Sequence, residues 1–222
     1  MRNNLIVKNA ADYKDGGGIT CSSSPVLIAN NVIYKNSLSG WPVASSSGVY
    51  ILGDVIPAIK NNIIAENSNG GIYYEGNQVL SPSYNDVFNN YHDYIGCSPG
   101  EGSLSSQPVF VAPDTDYNPY NDDYRLRTNS PCIDAGDPDP QFNDLDSSRN
   151  DMGLYGGPFA KNWFTKLADL NNNGKVDFID YAVFAENWLM QGQHLEGDIN
   201  SNGIVDIVDL RLLVLCWLES DI

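Results

Sequence analysis

Two twelve-residue stretches near the C-terminus carry oxygen-bearing side chains at one shared spacing. The first runs Asp169-Leu170-Asn171-Asn172-Asn173-Gly174-Lys175-Val176-Asp177-Phe178-Ile179-Asp180. The second runs Asp198-Ile199-Asn200-Ser201-Asn202-Gly203-Ile204-Val205-Asp206-Ile207-Val208-Asp209, offset by 29 residues. A hard cation such as Ca²⁺ takes roughly six to eight oxygens. A twelve-residue loop delivers them from its first, third, fifth, seventh, ninth and twelfth residues, with glycine sixth for the sharp turn. The spacing therefore assigns one Ca²⁺ to Asp169, Asn171, Asn173, the Lys175 carbonyl, Asp177 and Asp180. It assigns a second to Asp198, Asn200, Asn202, the Ile204 carbonyl, Asp206 and Asp209. The valines in eighth place, Val176 and Val205, are expected to meet across a short β-bridge. The bare loops gather six carboxylates, so folding of this segment is expected to be linked to metal.

The offset holds beyond the loops, since Trp188-Leu189 maps onto Trp217-Leu218. An ordinary EF-hand fits less well than a variant. The twelfth residue is Asp rather than the longer Glu, and Gly192 and Gly197 oppose a full helix entering the second loop. Exiting helices are expected over about Asp180–Leu189 and Asp209–Leu218. The first places Val183, Phe184 and Trp188 on one face, and the second places Leu212, Leu213 and Trp217 likewise. A loop followed by an exiting helix, twice within residues 161–222, resembles the type I dockerin. The resemblance implies a small all-α calcium module that binds cohesin-type partners and docks enzymes onto extracellular scaffolds. Members often carry a small polar or Ser-Thr pair at the tenth and eleventh loop places, where this chain has Phe178-Ile179 and Ile207-Val208. Packing between the helices and contact with a partner both remain open for these apolar pairs. With Tyr181 and Arg211 beside them they are the expected partner face, and the duplication gives that face approximate two-fold symmetry.

No catalytic constellation is legible. Lys8, Lys35 and Glu66 fall in one repeat column, where a stacked Lys35–Glu66 pair reads as a surface salt bridge. Thr20, Tyr50 and Tyr73 fall in another, either a sugar-holding face or a solvated sheet face. His92 and His194 have no visible partners in the sequence. Asp134, Asp137, Asp144 and Asp146 are a minor candidate for a further cation; the larger expectation is a cap whose Arg125, Arg127 and Arg149 pair some of its acids. Cys21, Cys97, Cys132 and Cys216 lack Cys-x-x-Cys spacing, which argues against zinc and thioredoxin chemistry. A Cys97–Cys132 disulfide and buried free thiols are both compatible with the spacing.

The elements upstream are repetitive. Asn-x-(Ile/Val)-x-x-Asn recurs from Asn4 to Asn9, Asn31 to Asn36, Asn62 to Asn67 and Asn85 to Asn90, at offsets of 27, 31 and 23 residues. Glycine-led β segments follow the first three: Gly18-Ile19-Thr20, Gly48-Val49-Tyr50-Ile51 and Gly71-Ile72-Tyr73-Tyr74. No helical periodicity precedes residue 160. Short strands at such intervals without helical crossovers fit a coil of parallel sheets, whose turns stack about 4.8 Å apart. Corner asparagines can then donate to one neighbouring rung, accept from the other, and tolerate left-handed backbone. These residues resemble the right-handed parallel β-helix family, a mainly β solenoid found in polysaccharide lyases, glycoside hydrolases and surface proteins. The expected organisation is β-helix repeats over 1–112, an Asp-rich cap over 113–160 closing the open coil end, and the calcium-loop module over 161–222. Ile6, Ile33, Ile64 and Val87 are expected to form one inward column.

Composition agrees with that division. The 222 residues carry 26 asparagines and a net charge of −16. Residues 1–112 hold 8 acids and 5 bases, 113–160 hold 10 and 3, and 161–222 hold 10 and 4, so the charge sits behind the solenoid. An acidic chain opposes binding to nucleic acid or anionic lipid, and no apolar run reaches the roughly 20 residues of a membrane span. Patterned sequence begins at once, without a leader, so the expectation is the C-terminal part of a longer secreted or cell-surface protein. Two functions are carried forward: the tail of a carbohydrate-active β-helix protein anchored by its dockerin-like module, with a polysaccharide as a further ligand, and a non-catalytic adhesin or structural surface protein.

Overall fold

The computed structural model describes residues 1–12, 17–39, 48–113, 122–193 and 195–218. The first rung holds β1 (Leu5–Val7), β2 (Ala10–Asp12) and β3 (Ile19–Ser22). The second holds β4 (Leu27–Ala29), β5 (Val32–Tyr34), β6 (Ser37–Ser39) and β7 (Val49–Leu52). The third holds β8 (Ala58–Lys60), β9 (Ile63–Ala65) and β10 (Ile72–Glu75), and the fourth β11 (Asp86–Phe88) and β12 (Tyr94–Ile95). Like strands stack in parallel into sheets ordered β1-β5-β9-β11 and β3-β7-β10-β12, with β2-β6 and β4-β8 as shorter pairs.

Register follows the repeat. Ile6, Ile33, Ile64 and Val87 lie opposite one another and point into a core shared with Ile28, Ile59, Val49 and Ile72. Gly48 and Gly71 precede the strands of the second large sheet because the rungs approach too closely there for a side chain. A Cβ on Gly48 would lie 2.3 Å from the Gly71 carbonyl oxygen, and one on Gly71 would lie 2.6 Å from that of Asp93.

Two asparagine ladders run up the coil. Asn4, Asn31, Asn62 and Asn85 form the first. Each of its first three members donates its backbone N–H and its Nδ2 to the Oδ1 of the next, at 2.8–3.1 Å. Asn9, Asn36, Asn67 and Asn90 form the second at 2.9–3.0 Å, which ends with Asn90 donating to Asp93 Oδ1. The left-handed corners fall one residue earlier than the ladder asparagines. They are Asn3, Asn30, Asn61 and Tyr84 in one column and Lys8, Lys35, Glu66 and Asn89 in the other, with φ between 50° and 57°.

The Asp-rich segment lies along the side of the coil rather than across its open end. The sheet β1-β5-β9-β11 is apolar on both faces, so Val32, Tyr34, Ile63 and Ala65 need cover on the outside. They receive it from Phe110, Tyr124, Cys132, Met152 and Leu154. The left-handed asparagines hold the strap. Asn3 Nδ2 donates to the Leu154 and Gly156 carbonyls, Asn30 Nδ2 to Asn150 Oδ1 and the Asp151 carbonyl, and Asn61 Oδ1 accepts from the Asp137 N–H. The parallel stacking has ended by β13 (Phe110–Ala112), which pairs antiparallel with β14 (Asp123–Leu126).

The C-terminal segment is α-helical and lies against this strap. Its helices are α1 (Lys161–Ala168), α2 (Phe178–Glu186) and α3 (Ile207–Leu215). The α1 helix was not expected; Trp163 fastens it to the first rung by donating from Nε1 to the Asn3 carbonyl at 2.9 Å. The exiting helices begin two residues before the expected start, because the ninth loop residue is also the helix N-cap. Asp177 and Asp206 each form a capping box with Asp180 and Asp209 at N3.

Candidate functional site

The two loops share one hydrogen-bond plan. In the first, Asp169 accepts from the Asn173 N–H at 3.0 Å and the Gly174 N–H at 2.7 Å. In the second, Asp198 accepts from Asn202 at 3.0 Å and Gly203 at 2.9 Å. Asn171 and Asn173 take the next N–H groups at 2.9 Å, as Asn200 and Asn202 do at 3.0 and 2.9 Å. The closing carboxylates fold back over their loops. Asp180 accepts from Asn171 and Asp177, and Asp209 from Asn200 and Asp206, at 2.8–3.1 Å. Gly174 and Gly203 sit at φ +85° and +86°, where a Cβ would be strained.

Burial decides what such a loop can hold. Asp169, Asp180, Asp198 and Asp209 are buried, and none makes an ion pair with a described residue. Burial pushes the Asp209 carboxyl up, and its neighbours Asp198 and Asp206 add to the shift. Buried carboxylates without a cation are costly. Among the described residues, no three carboxylate, imidazole or thiol groups stand close enough to hold an ion by themselves. The loops differ from such a cluster in their donor set, which includes amide oxygens and a backbone carbonyl. Hard oxygens of this kind fit Ca²⁺.

The loops are coupled, but not by the expected bridge between the eighth residues. Val205 exchanges bonds with the chain leaving α2: Leu189 N–H donates to the Val205 carbonyl at 2.8 Å, and Val205 N–H to that of Met190 at 3.1 Å. Val176 accepts from Leu218 N–H, beyond α3, at 2.8 Å. Each loop is thus clasped by the tail of the other copy's helix, and Leu189 and Leu218 both adopt left-handed backbone to do it, at φ 62° and 60°. Both valines are buried in one core with Phe184, Leu212 and Leu213.

The expected partner residues divide. Phe178 is 77% exposed, Ile179 58%, Tyr181 44% and Ile207 65%. Val208 is half-buried. Arg211 is exposed but engaged, donating to the Asp146 carbonyl at 2.8 Å and Ser147 Oγ at 3.2 Å. Phe178 rests edge-on against Trp217 at 5.0 Å.

Elsewhere the chemistry is structural. Lys35 and Glu66 form the stacked ion pair at 3.8 Å. Tyr50 and Tyr73 stack at 5.3 Å, but Tyr50 is buried and donates to Glu75 at 2.6 Å, so it offers little face to a sugar. Asp137 is drawn off by Lys60 at 2.7 Å, whereas Asp134, Asp144 and Asp146 line one cavity with Asp151, where Asp144 takes the Asp151 and Gly157 N–H groups; among the described residues they make no metal-holding cluster. Arg125 grips Asp123, whereas Arg127 and Arg149 donate to backbone carbonyls rather than to acids. None of the four cysteines is in a disulfide. Cys97 contacts the Ile72 carbonyl and Cys132 the Asp86 carboxylate, so the Cys97–Cys132 bond is not formed. His92 meets Tyr91 edge-on at 4.6 Å, and His194 lies outside the described residues.

A family profile described as right handed beta helix region matches residues 1–106 of the 222. That portion, with its parallel stacked strands, is a β-helix region. No curated protein and no solved structure matches the chain. Among the described residues no helix is long and apolar enough to cross a membrane.

Proposed function

We propose that residues 161–222 form a calcium-dependent docking module of the type I dockerin kind, which joins the β-helix to a cohesin-type protein domain. The observation that carries this reading is the repetition, bond for bond, of one loop plan built from hard oxygen donors around buried carboxylates. Asp169, Asn171, Asn173, Lys175, Asp177 and Asp180 would hold one Ca²⁺, and Asp198, Asn200, Asn202, Ile204, Asp206 and Asp209 the other. When bound, the ions neutralise carboxylates that otherwise repel one another, and so fix the loops from which α2 and α3 start.

The partner face is Phe178, Ile179 and Tyr181 with Ile207, Val208 and Arg211. Exposed apolar side chains gathered on an acidic module favour a protein partner. Arg211 is engaged by the strap, so the first copy's face is the freer of the two. The wider setting is an extracellular or cell-surface protein of polysaccharide degradation. The test is capture of the full chain by a panel of cohesin domains with Ca²⁺ and with EDTA. Capture with Ca²⁺ alone, reduced at least tenfold by Phe178→Ala/Ile179→Ala, is expected; capture by none would leave a calcium-stabilised structural tail.

A further inference from the structure

The two halves of the C-terminal module are alike inside and unlike in their surroundings. Among the described residues, no hydrogen bond joins residues 169–193 to the coil or the strap. The second half is seated. Asp123 grips Arg125 through Nε at 3.1 and 3.0 Å and through Nη2 at 2.6 Å. That leaves Nη1 to donate to the carbonyls of Asp198 and Ile199, at 3.3 and 3.5 Å, which open the second loop. Arg211 of α3 returns the contact to Asp146 and Ser147. Buried Ile199 and Leu212 line the junction, a cavity of about 330 Å³ with Asn200 and Asn202 on its wall.

We infer that of the two loops only the second seats on the strap, beside the Trp163 anchor of α1, with Arg125 as the positioning residue that reads whether that loop is formed. The inference rests on the reading that both loops hold Ca²⁺. Its physics is linkage. Asp198 offers its carboxylate to the ion and its backbone carbonyl to Arg125, so whatever fixes the loop entry favours both contacts. Two events that favour one conformation strengthen each other by the same factor. Asp123 offsets the guanidinium charge, so Arg125 meets the loop as an oriented donor rather than as a bare cation opposing Ca²⁺. Among the described residues the first loop makes no such contact, so filling it reaches the seat only through the crossed clasp at Val176 and Val205.

Arginine footprinting with phenylglyoxal on the full chain, read by mass spectrometry, reports the seat directly. Arg149 is the internal control, because its guanidinium donates to the Gly136 and Ala135 carbonyls of the strap, away from the second loop. In Ca²⁺, Arg125 is expected to be protected in the wild type and in Asp169→Ala. In Asp198→Ala, and in the wild type with EDTA, it is expected to react about tenfold faster while Arg149 does not change. A second variant guards against simple misfolding of Asp198→Ala. Arg125→Gln is expected to retain two Ca²⁺ sites by calorimetry, with the second weakened about three- to tenfold and the first unaltered. Equal Arg125 reactivity in Asp169→Ala and Asp198→Ala, or unaltered affinities in Arg125→Gln, overturns the inference and leaves the calcium reading standing. Absence of any Ca²⁺ binding by the wild type overturns the calcium reading, and this inference with it.

Discussion

Asp86 occupies a column that the rungs before it fill with Val32 and Ile63. It is fully buried, accepting from the Ser106 N–H at 2.9 Å and from Cys132 Sγ at 3.2 Å. Burial pushes its carboxyl up to about 6. Burial also lifts Asp144 and Asp151 in the strap, where neighbouring acids add to the shift. A carboxyl raised on folding binds its proton more tightly in the native state. Its contribution is therefore complete below the unfolded value near 4 and is lost as pH rises through the folded value. Denaturation at fixed, saturating Ca²⁺ should show lower stability at pH 8 than at pH 5. Asp86→Asn should recover on the order of 1–2 kcal/mol of that difference, the part of the linkage that falls above pH 5, since it removes one titration while keeping an acceptor for Ser106. A slope unaltered by the substitution would show that Asp86 is not buried as described. The asparagine columns were legible because their interval repeats. Asp86 was not, because a lone acid between two asparagine corners looks like a surface residue until register places it beside Ile63.

The ladders act as elements, and position along them sets their worth. Asn67 lies mid-ladder and buried: Asn36 donates to it twice, and it donates to Asn90 and to the Ile33 carbonyl. Asn67→Ala leaves those groups unsatisfied inside the coil and should cost about 3 kcal/mol. Asn9 stands at the exposed start, and its side chain donates to Asn36 while its backbone carbonyl keeps the Ser37 N–H, so Asn9→Ala should cost under about 1 kcal/mol. Equal losses in urea denaturation would mean that the ladder is not the unit that holds the corners. Strand positions were readable from β-branched residues between corners. The helix starts were displaced because Asp177 and Asp206 belong at once to the loop and to a capping box, a signal present as Asp-x-x-Asp. Helix α1 was overlooked for want of caps: Ala160 precedes it with no side-chain bond, leaving only Trp163, Phe164 and Leu167 as its pattern.

At the scale of the molecule, the coil was legible and the path of the strap was not. Rung contacts repeat at 23, 31 and 27 residues, so periodicity exposes them. The strap meets the coil over separations of 120 and 151 residues, by bonds such as Asn30 to Asn150 and Asn3 to Leu154 that occur once each. Only the doubly apolar outer sheet hinted that its flank needed cover. The module's two loops were legible residue by residue, whereas their crossed clasp through Leu189 and Leu218 depends on tertiary packing. Everything proposed for the module depends on its ions. Calorimetric titration of the metal-free full chain with Ca²⁺, with helicity followed in parallel, tests this most directly. The account predicts two ions per chain and a loss of α2 and α3 helicity on adding EDTA. No heat of binding at about millimolar Ca²⁺, with helicity indifferent to EDTA, would contradict it.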